Sequence, residues 1–336
     1  MQGQEKVPVT ALNYLVINPF LGCNANCPTC EYRQELHRKS GRGKLLSLED
    51  WKMALSQASA LGAEQLIISG GEPTLYKQLP ELVRLGREKG FYVCLKSNGG
   101  VITAELAEEL MEAGLNRVSI SLYSHIPEIH DRMKARQGIW RQACNALNIF
   151  SDLKKERPDF FLTTQTFISR ENYQNFDELI GFHYRLGSEH LGISYLEGDY
   201  VKKEHLLTID QIHYFRERVI PEAIRFGQKL EPIIREDFIR KLENLYHPEI
   251  TSLYNFSRGL YHKKGGCEKP QSFAIILANG DVHPCNMVEY SHEPVIGNLF
   301  KKSFAEIYGS EAWNRFRENP FIGCRTDYCV FCPVPL

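Results

Sequence analysis

The sequence predicts an α/β fold in which a partial barrel of six strand–helix units precedes a small cysteine-bearing domain. Two observations predict the barrel. Six short apolar runs, rich in β-branched and aromatic residues, have the length of strands. Segments with helical spacing of apolar residues lie between them, which is typical of parallel strands joined by helices. Six units fit a partial barrel better than a complete one of eight.

The strands alternate with helices in chain order. Strands are predicted at Leu12–Ile17, Gln65–Ser69, Tyr92–Lys96, Arg117–Leu122, Leu162–Phe167 and Leu191–Leu196, and helices at Ser47–Leu61, Gln78–Lys89 and Thr103–Ala113. Ser47 is a suitable N-cap, and Gly62 a suitable stop, for the first helix. In a parallel barrel the chemistry lies on loops at the carboxyl ends of the strands. Those loops are therefore the place to look for a site.

We predict three segments: a barrel over 1–200, a helical bridge over 201–262 and a cysteine-bearing domain over 263–336. The bridge has helical spacing from Thr208, interrupted at Pro221. In the third segment, Asn279-Gly280-Asp281 predicts a hairpin turn between apolar runs, and an amphipathic helix is expected around Ser303–Glu318.

Composition excludes several classes of protein. The 336 residues are 43% hydrophobic and 24% charged with a formal net charge of −1, so no basic field favours nucleic acid or a membrane surface. No signal peptide or long apolar span is present, which predicts a cytoplasmic protein. Ten cysteines in a reducing compartment favour metal binding over disulfides.

The first cysteine group directly follows the first predicted strand. Cys23, Cys27 and Cys30 have the spacing C-x3-C-x2-C. Three thiolates can hold three irons of a cubane cluster and leave the fourth iron for another ligand, whereas electron-transfer clusters commonly use four cysteines. A zinc site that lacks its fourth ligand and free buried cysteines are the alternatives.

A second motif ends the second predicted strand. Gly70 and Gly71 allow a ligand to approach the backbone closely, and Glu72, followed by Pro73, would accept a hydrogen bond from an ammonium group. Together the two motifs resemble the radical S-adenosylmethionine (SAM) superfamily. The resemblance implies a [4Fe–4S] cluster whose open iron binds the amino and carboxylate groups of SAM. It also implies that the cluster's electron cleaves SAM to methionine and a 5′-deoxyadenosyl radical, which abstracts a hydrogen from the substrate.

Further strand ends match the superfamily's pattern over about residues 12–200. The residues that the resemblance assigns to SAM binding are Ser97, Asn98, Ser121, Thr166, Arg170, Tyr195 and Leu196, besides Gly70, Gly71, Glu72 and Pro73. Two positions depart from the pattern. Thr29 replaces an aromatic residue that often precedes the third cysteine, and Tyr123 replaces a usual aspartate.

The C-terminal cysteines resemble the twitch or SPASM extension of many radical SAM enzymes. The resemblance implies one auxiliary [4Fe–4S] cluster, for which we predict the ligands Cys267, Cys285, Cys329 and Cys332, with Cys324 as an alternative ligand. A four-cysteine zinc site is the competing interpretation.

The favoured function is a radical SAM oxidoreductase of dehydrogenase type that acts on a small polar metabolite. The auxiliary cluster would accept the second electron, and a flavodoxin or ferredoxin would supply the first. One alternative is a peptide maturase or an epimerase, with Cys94 as the hydrogen donor. A short segment of about eleven residues before the first strand counts against a leader-binding domain, and so against the maturase. Another alternative is a non-catalytic zinc or Fe–S scaffold.

Overall fold

One continuous sheet organises the protein. The computed structural model describes residues 11–30, 44–195, 203–229, 235–236, 239, 269–284 and 295–318. Within this part of the chain nine strands form a sheet in the order β6-β5-β4-β3-β2-β1-β7-β8-β9. Strands β1 to β6 are parallel, and helices connect them, as the sequence predicts. The fold is therefore mixed α/β with the expected partial barrel.

The predicted elements are found within a few residues of their expected bounds. The strands are β1 Tyr14–Asn18, β2 Gln65–Ile68, β3 Tyr92–Ser97, β4 Arg117–Ser121, β5 Phe161–Ile168, β6 His190–Tyr195, β7 Phe273–Leu277, β8 Asp281–His283 and β9 Gly297–Asn298. The helices are α1 Leu48–Ala60, α2 Leu79–Glu88, α3 Ala104–Glu112, α4 Pro127–Lys134, α5 Ile139–Leu153, α6 Phe176–Arg185, α7 Ile209–Tyr214, α8 Ile220–Gly227, α9 Lys269–Ser272, α10 Phe304–Tyr308 and α11 Glu311–Glu318.

Local sequence accounts for the helix ends. Ser47 caps α1 in a capping box with Asp50, as its position predicts. A π-helical turn over Phe215–Val219 separates α7 from α8 just before Pro221. Proline lacks an N–H and crowds the carbonyl four residues earlier, so a widened turn accommodates it. The single helix expected around Ser303–Glu318 is instead two helices, because the chain turns at Gly309 and Ser310, whose hydroxyl accepts from the Trp313 amide.

The faces of the sheet follow from side-chain alternation. Val93 and Leu95 of β3 belong to the main core between the sheet and the helices. Cys94 and Lys96 therefore lie on the opposite, inner face. On the same inner face, Val16 of β1 packs with Ile275 and Leu277 of β7. The inner face is thus apolar near β1 and β7 and more polar towards β3 to β5.

The C-terminal segment extends the barrel sheet. β7 pairs with β1 in parallel, and β8 returns antiparallel to β7. The hairpin turn lies at Asn279 and Gly280, as predicted, and Gly280 has a φ of +83° that favours glycine. Sequence alone did not predict that this hairpin joins the barrel. Among the described helices, none combines the length and apolar character needed to span a membrane.

Candidate functional site

The first cysteine group lies on the loop that leaves β1. Cys23 is exposed, and Cys27 and Cys30 are partly buried. The Cys30 amide donates to the Cys27 carbonyl oxygen at 3.1 Å, closing a turn between them. Among the described residues no three metal-binding side chains converge on one ion. A cubane cluster does not need such convergence, because each cysteine binds a different iron. The loop therefore fits a cluster with one thiolate for each of three irons.

The glycine motif packs directly against the cysteine loop. A Cβ atom on Gly71 would lie 2.2 Å from the carbonyl oxygen of Gly22, so no larger residue fits without moving the loops. The Glu72 amide donates to that same carbonyl oxygen at 2.8 Å. Gly70 has a φ of +118°, where residues with side chains are strained. Contact between the two loops therefore requires a glycine at position 71, and the backbone conformation favours one at position 70.

The Glu72 carboxylate lies at the centre of the site and is only 1% exposed. Its Oε1 atom accepts from the Thr74 amide at 3.1 Å, the Thr74 hydroxyl at 2.6 Å and the Ser97 hydroxyl at 2.8 Å. Its Oε2 atom accepts from the Asn98 amide at 2.7 Å. Glu72 therefore ties the end of β2 to the end of β3. Because Oε2 accepts one bond where Oε1 accepts three, Oε2 is the oxygen with capacity for an ammonium group.

Asn98 connects β3 to the cysteine loop. Its side-chain amide donates to Asn24 Oδ1 at 2.7 Å and lies 3.8 Å from Cys23 Sγ. Its own Oδ1 atom accepts from the Gly100 amide at 2.7 Å. The loops after β1, β2 and β3 are therefore joined into one hydrogen-bonded unit. Sequence reasoning missed Asn24, because nothing in a single sequence pairs it with Asn98.

A buried cation also borders the cysteine loop. Lys134, at the end of α4, is 3% exposed, and its Nζ atom lies 3.9 Å from the centre of the Tyr123 ring. Burial alone lowers the pKa of its ammonium group, but Tyr123 and the Cys27 thiol outweigh burial and raise that pKa. The Lys134 carbonyl accepts from the Asn26 amide at 2.9 Å. Sequence reasoning missed Lys134; its signal is the i,i+4 spacing from His130, which shares its buried face.

The remaining residues predicted to bind SAM differ in their position relative to Glu72. Ser121 ends β4 and is half-buried. Thr166 is fully buried, and alternation places it with Leu162 and Ile168 on the helix-facing side of β5. The Arg170 guanidinium donates to the Leu206 carbonyl at 3.1 Å, which directs it towards the segment after β6. Among the members of this group whose side chains the structure describes, Ser97 and Asn98 contact Glu72 directly.

Several predicted positions lie outside the described residues. These are Leu196 and the five C-terminal cysteines, Cys267, Cys285, Cys324, Cys329 and Cys332. Tyr195 ends β6 as expected. The auxiliary-cluster ligands and the three segment boundaries remain predictions.

Cys94 lies low on the inner face of the sheet. It pairs with Arg117, the first residue of β4, and is 8% exposed. Ser97, at the carboxyl end of β3, follows three residues later, or about 10 Å along the strand. Burial raises the pKa of the Cys94 thiol, so the neutral form is favoured. Cys94 is therefore well separated from the joined loops.

A cavity of about 710 Å³ is lined mainly by helical residues. The lining residues come from α6, from α8 and the residues just after it, and include His125, whose Nε2 atom lies 3.0 Å from Glu178 Oε2. None of the predicted site residues lines it. The strand-end loops, which carry the thiols and the buried carboxylate, remain the candidate site.

Comparison with known proteins identifies the family. Residues 17–183 match the radical SAM superfamily, and residues 267–333 match the SPASM iron–sulfur cluster-binding domain. A PqqA peptide cyclase of Bradyrhizobium diazoefficiens is 30% identical over 92% of this chain and 76% of its own length. The chain belongs to the radical SAM superfamily. As a radical SAM protein with a SPASM domain, it has a SAM-binding [4Fe–4S] cluster and an auxiliary cluster as cofactors.

Other relatives of this radical SAM protein differ in activity. An AdoMet-dependent heme synthase of Methanosarcina barkeri is 24% identical over 93% of this chain and 87% of its own length. Among solved structures, Streptococcus suis SuiB superposes with a TM-score of 0.67 at 18% identity, covering 96% of this chain and 72% of SuiB. SuiB has been solved with bound SAM and with the precursor peptide SuiA. At this identity the superposition establishes the radical SAM fold alone.

Proposed function

We propose that this radical SAM enzyme cleaves SAM at the Cys23–Cys27–Cys30 loop and removes a hydrogen atom from an organic substrate on the inner face of the sheet. The observation that carries the proposal is the buried Glu72 carboxylate, which joins the strand-end loops beside the three thiols. When bound, the cluster supplies the electron that breaks the sulfonium bond. The protein's own residues supply position and exclude water.

The roles of individual residues follow from their contacts. Cys23, Cys27 and Cys30 would bind the cluster, and Glu72 Oε2 would accept from the SAM ammonium. Ser97 holds the opposite oxygen of Glu72 at 2.8 Å and so fixes the carboxylate's orientation. The apolar patch of Val16, Ile275 and Leu277 would keep water from the radical.

A change of all three loop cysteines to alanine tests the ligand assignment. We expect SAM cleavage to be lost while about four irons per chain remain on the C-terminal site, because the two clusters use separate cysteines. Iron and sulfide analysis after anaerobic reconstitution measures this, with chromatography of 5′-deoxyadenosine for activity. Full retention of SAM cleavage would reject the assignment, and a folded but iron-free variant would reject the auxiliary cluster.

We further propose that the net reaction is a two-electron oxidation. The SAM-derived deoxyadenosyl group would take one hydrogen atom from the substrate, solvent would take a proton, and the auxiliary cluster would accept the second electron. The rival outcome is epimerisation, in which Cys94 returns a hydrogen atom. The low position of Cys94 on β3 favours oxidation.

The reaction in deuterium oxide distinguishes the two outcomes. A product two hydrogens lighter than the substrate, formed equally well by the Cys94→Ala variant, supports oxidation. Deuterium retained at carbon, and lost in Cys94→Ala, supports epimerisation.

The similarity to a PqqA peptide cyclase over most of both chains favours a peptide substrate. The polar inner face around Lys96 and Ser119, and the similarity to a heme synthase, favour the small polar metabolite as a second candidate. A producer-cell extract, divided by a size filter and treated with protease or left untreated, distinguishes them. Formation of 5′-deoxyadenosine that protease abolishes supports a peptide. Activity that survives protease and passes a small-pore filter supports the metabolite.

A further inference from the structure

The hydrogen bonds of Asn98 fix the direction of its side-chain amide. The Asn98 backbone amide donates to Glu72 Oε2, and its Oδ1 atom accepts from the Gly100 amide, both at 2.7 Å. With the oxygen so engaged, the Nδ2 atom must point the other way, towards the cysteine loop. Asn98 is 7% exposed, so water does not compete for these bonds.

The Nδ2 atom reaches two acceptors on that loop. One is Asn24 Oδ1 at 2.7 Å, and the other is Cys23 Sγ at 3.8 Å. An amide nitrogen has two hydrogens, so both contacts can be made at once. Cys23 Sγ also accepts from the Ala25 backbone amide at 3.4 Å. Two N–H donors thus converge on the sulfur of one proposed cluster ligand.

Asn24 adds a second, independent observation. Its Oδ1 atom is engaged by Asn98, and its backbone oxygen accepts from Arg136 at 2.9 Å. Its Nδ2 atom, however, is buried without a hydrogen-bond acceptor. Buried amide donors are almost always paired in native proteins. This donor lies one residue from Cys23, on the loop that holds the thiols, so a cluster sulfur is an acceptor of the right chemistry.

Hydrogen bonds to cluster sulfurs shift the reduction potential. A donor at sulfur stabilises negative charge there. The reduced cluster carries one more electron than the oxidised cluster, so the donor stabilises the reduced form more. The reduction potential then becomes more positive, and a given reductant reduces a larger fraction of the clusters.

We propose that Asn98 is a positioning residue that raises the reduction potential of the SAM-binding cluster through its N–H···S contact with Cys23, with Asn24 as its partner. The proposal rests on the proposed ligation of the cluster by Cys23. It explains why a residue that meets Glu72 through its backbone carries an amide side chain rather than a shorter polar group.

Asn98→Asp provides the sharpest test. The variant keeps an oxygen for the Gly100 amide but replaces the donor to Cys23 with a carboxylate oxygen. Asn24 can turn its spare amide hydrogen towards the new carboxylate, so the loops retain a bond between them. Asn98→Ala removes the donor without adding charge. Asn116→Asp is the matched control, because Asn116 is 8% exposed, accepts from the Val93 amide through its oxygen, and directly precedes β4, at the end of the strands opposite to Asn98.

The measurement is the midpoint potential of the SAM-sensitive electron paramagnetic resonance signal in the full chain with both clusters reconstituted. In Asn98→Asp we expect the ratio of reduced to oxidised cluster at fixed reductant to fall about tenfold, which for a one-electron couple is ~59 mV. Asn98→Ala should shift in the same direction by less, and Asn116→Asp should match the wild type. Iron content should be unchanged in all three variants.

Two results would overturn the proposal. One is a wild-type potential in Asn98→Asp with full iron content, and the other is loss of the cluster in both Asn98 variants, which would make the residue structural only. The triple cysteine variant separates this from failure of the proposed function. If the SAM-sensitive signal persists without the three cysteines, the ligation itself is wrong, whatever the Asn98 variants do.

Discussion

At the scale of single residues, Glu72 shows how hydrogen bonds hold a buried carboxyl group in place. Four hydrogen bonds from Thr74, Ser97 and Asn98 replace the water that burial removes. The motif predicted that Glu72 belongs to the site. It could not predict these partners, since Ser97 and Asn98 lie 25 and 26 residues away and meet Glu72 only when β2 pairs with β3.

Glu72→Gln should weaken SAM binding about ten- to a hundredfold, because a charge-assisted hydrogen bond contributes about 1.5–3 kcal/mol. Cluster content should fall much less, since the thiols are untouched. Isothermal titration of SAM into the reconstituted protein measures the dissociation constant. Glu81→Gln, an exposed site on α2, is the matched control and should bind SAM as the wild type does. An unchanged dissociation constant in Glu72→Gln would contradict the proposed contact.

His183 carries a pH dependence of stability. This residue of α6 is fully buried, and burial lowers its pKa to about 3. Its neighbour His130 is also buried, and its pKa is lowered well below the usual value by burial and by the charge of Lys134. An unfolded histidine has a pKa of about 6.5. Between these values the unfolded chain binds more protons than the folded chain. The contribution of these neutral histidines to the free energy of unfolding is therefore fully present above about pH 6.5 and is lost progressively as the pH decreases.

In His183→Gln the free energy of unfolding should therefore decrease less steeply below pH 6.5. The slope should be smaller than in the wild type by up to about 1.4 kcal/mol per pH unit. Denaturant unfolding of the anaerobic holoprotein between pH 5.5 and 7.5 measures the free energy at each pH. His213→Gln, at an exposed position, should retain the wild-type slope. Equal slopes in His183→Gln and the wild type would show that His183 is not protonated on unfolding.

At the scale of elements, the loops after β1 and β2 are matched in shape as well as in hydrogen bonding. The φ of Gly71 lies outside the left-handed region, so backbone conformation does not exclude a side chain there. The obstacle is the Gly22 carbonyl oxygen, which would lie 2.2 Å from a Cβ atom. Strand and helix bounds were predicted closely because apolar periodicity and caps are local. The pairing of β7 with β1 was not, because pairing between strands so distant in sequence leaves no local pattern.

Gly71→Ala should displace the cysteine loop and lower the iron bound by the first cluster, together with SAM cleavage. The added methyl group cannot be accommodated by rotating a side chain, because its nearest neighbour is backbone. Gly192→Ala is the control: it lies in β6, and its nearest contact would be 3.6 Å, an ordinary van der Waals distance. Iron analysis of the two variants compares them. Wild-type iron content and activity in Gly71→Ala would show that the two loops can move apart at little energetic cost.

At the scale of the whole molecule, the barrel and the C-terminal helices share one core. Phe304, Tyr308 and Trp313 are buried in the same cluster as Leu15, Trp51 and other residues of the barrel. The Ala305 amide also donates to Gln57 on α1 at 3.0 Å. The sequence predicted the amphipathic character of this segment but not its docking site, because periodicity identifies an apolar face without its partner.

A shared core predicts cooperative unfolding. Trp313→Ala should lower the free energy of unfolding by about 3–5 kcal/mol, the usual cost of removing a buried aromatic side chain. In each protein, fluorescence and circular dichroism should report one transition with the same midpoint by both probes, because loss of packing at α11 also destabilises the barrel helices. Phe300→Ala, with a side chain 39% exposed in the same segment, should change stability much less. If Trp313→Ala instead gave two transitions, with the barrel unfolding at its wild-type midpoint, the C-terminal helices would be an independent unit and the shared core would not couple them.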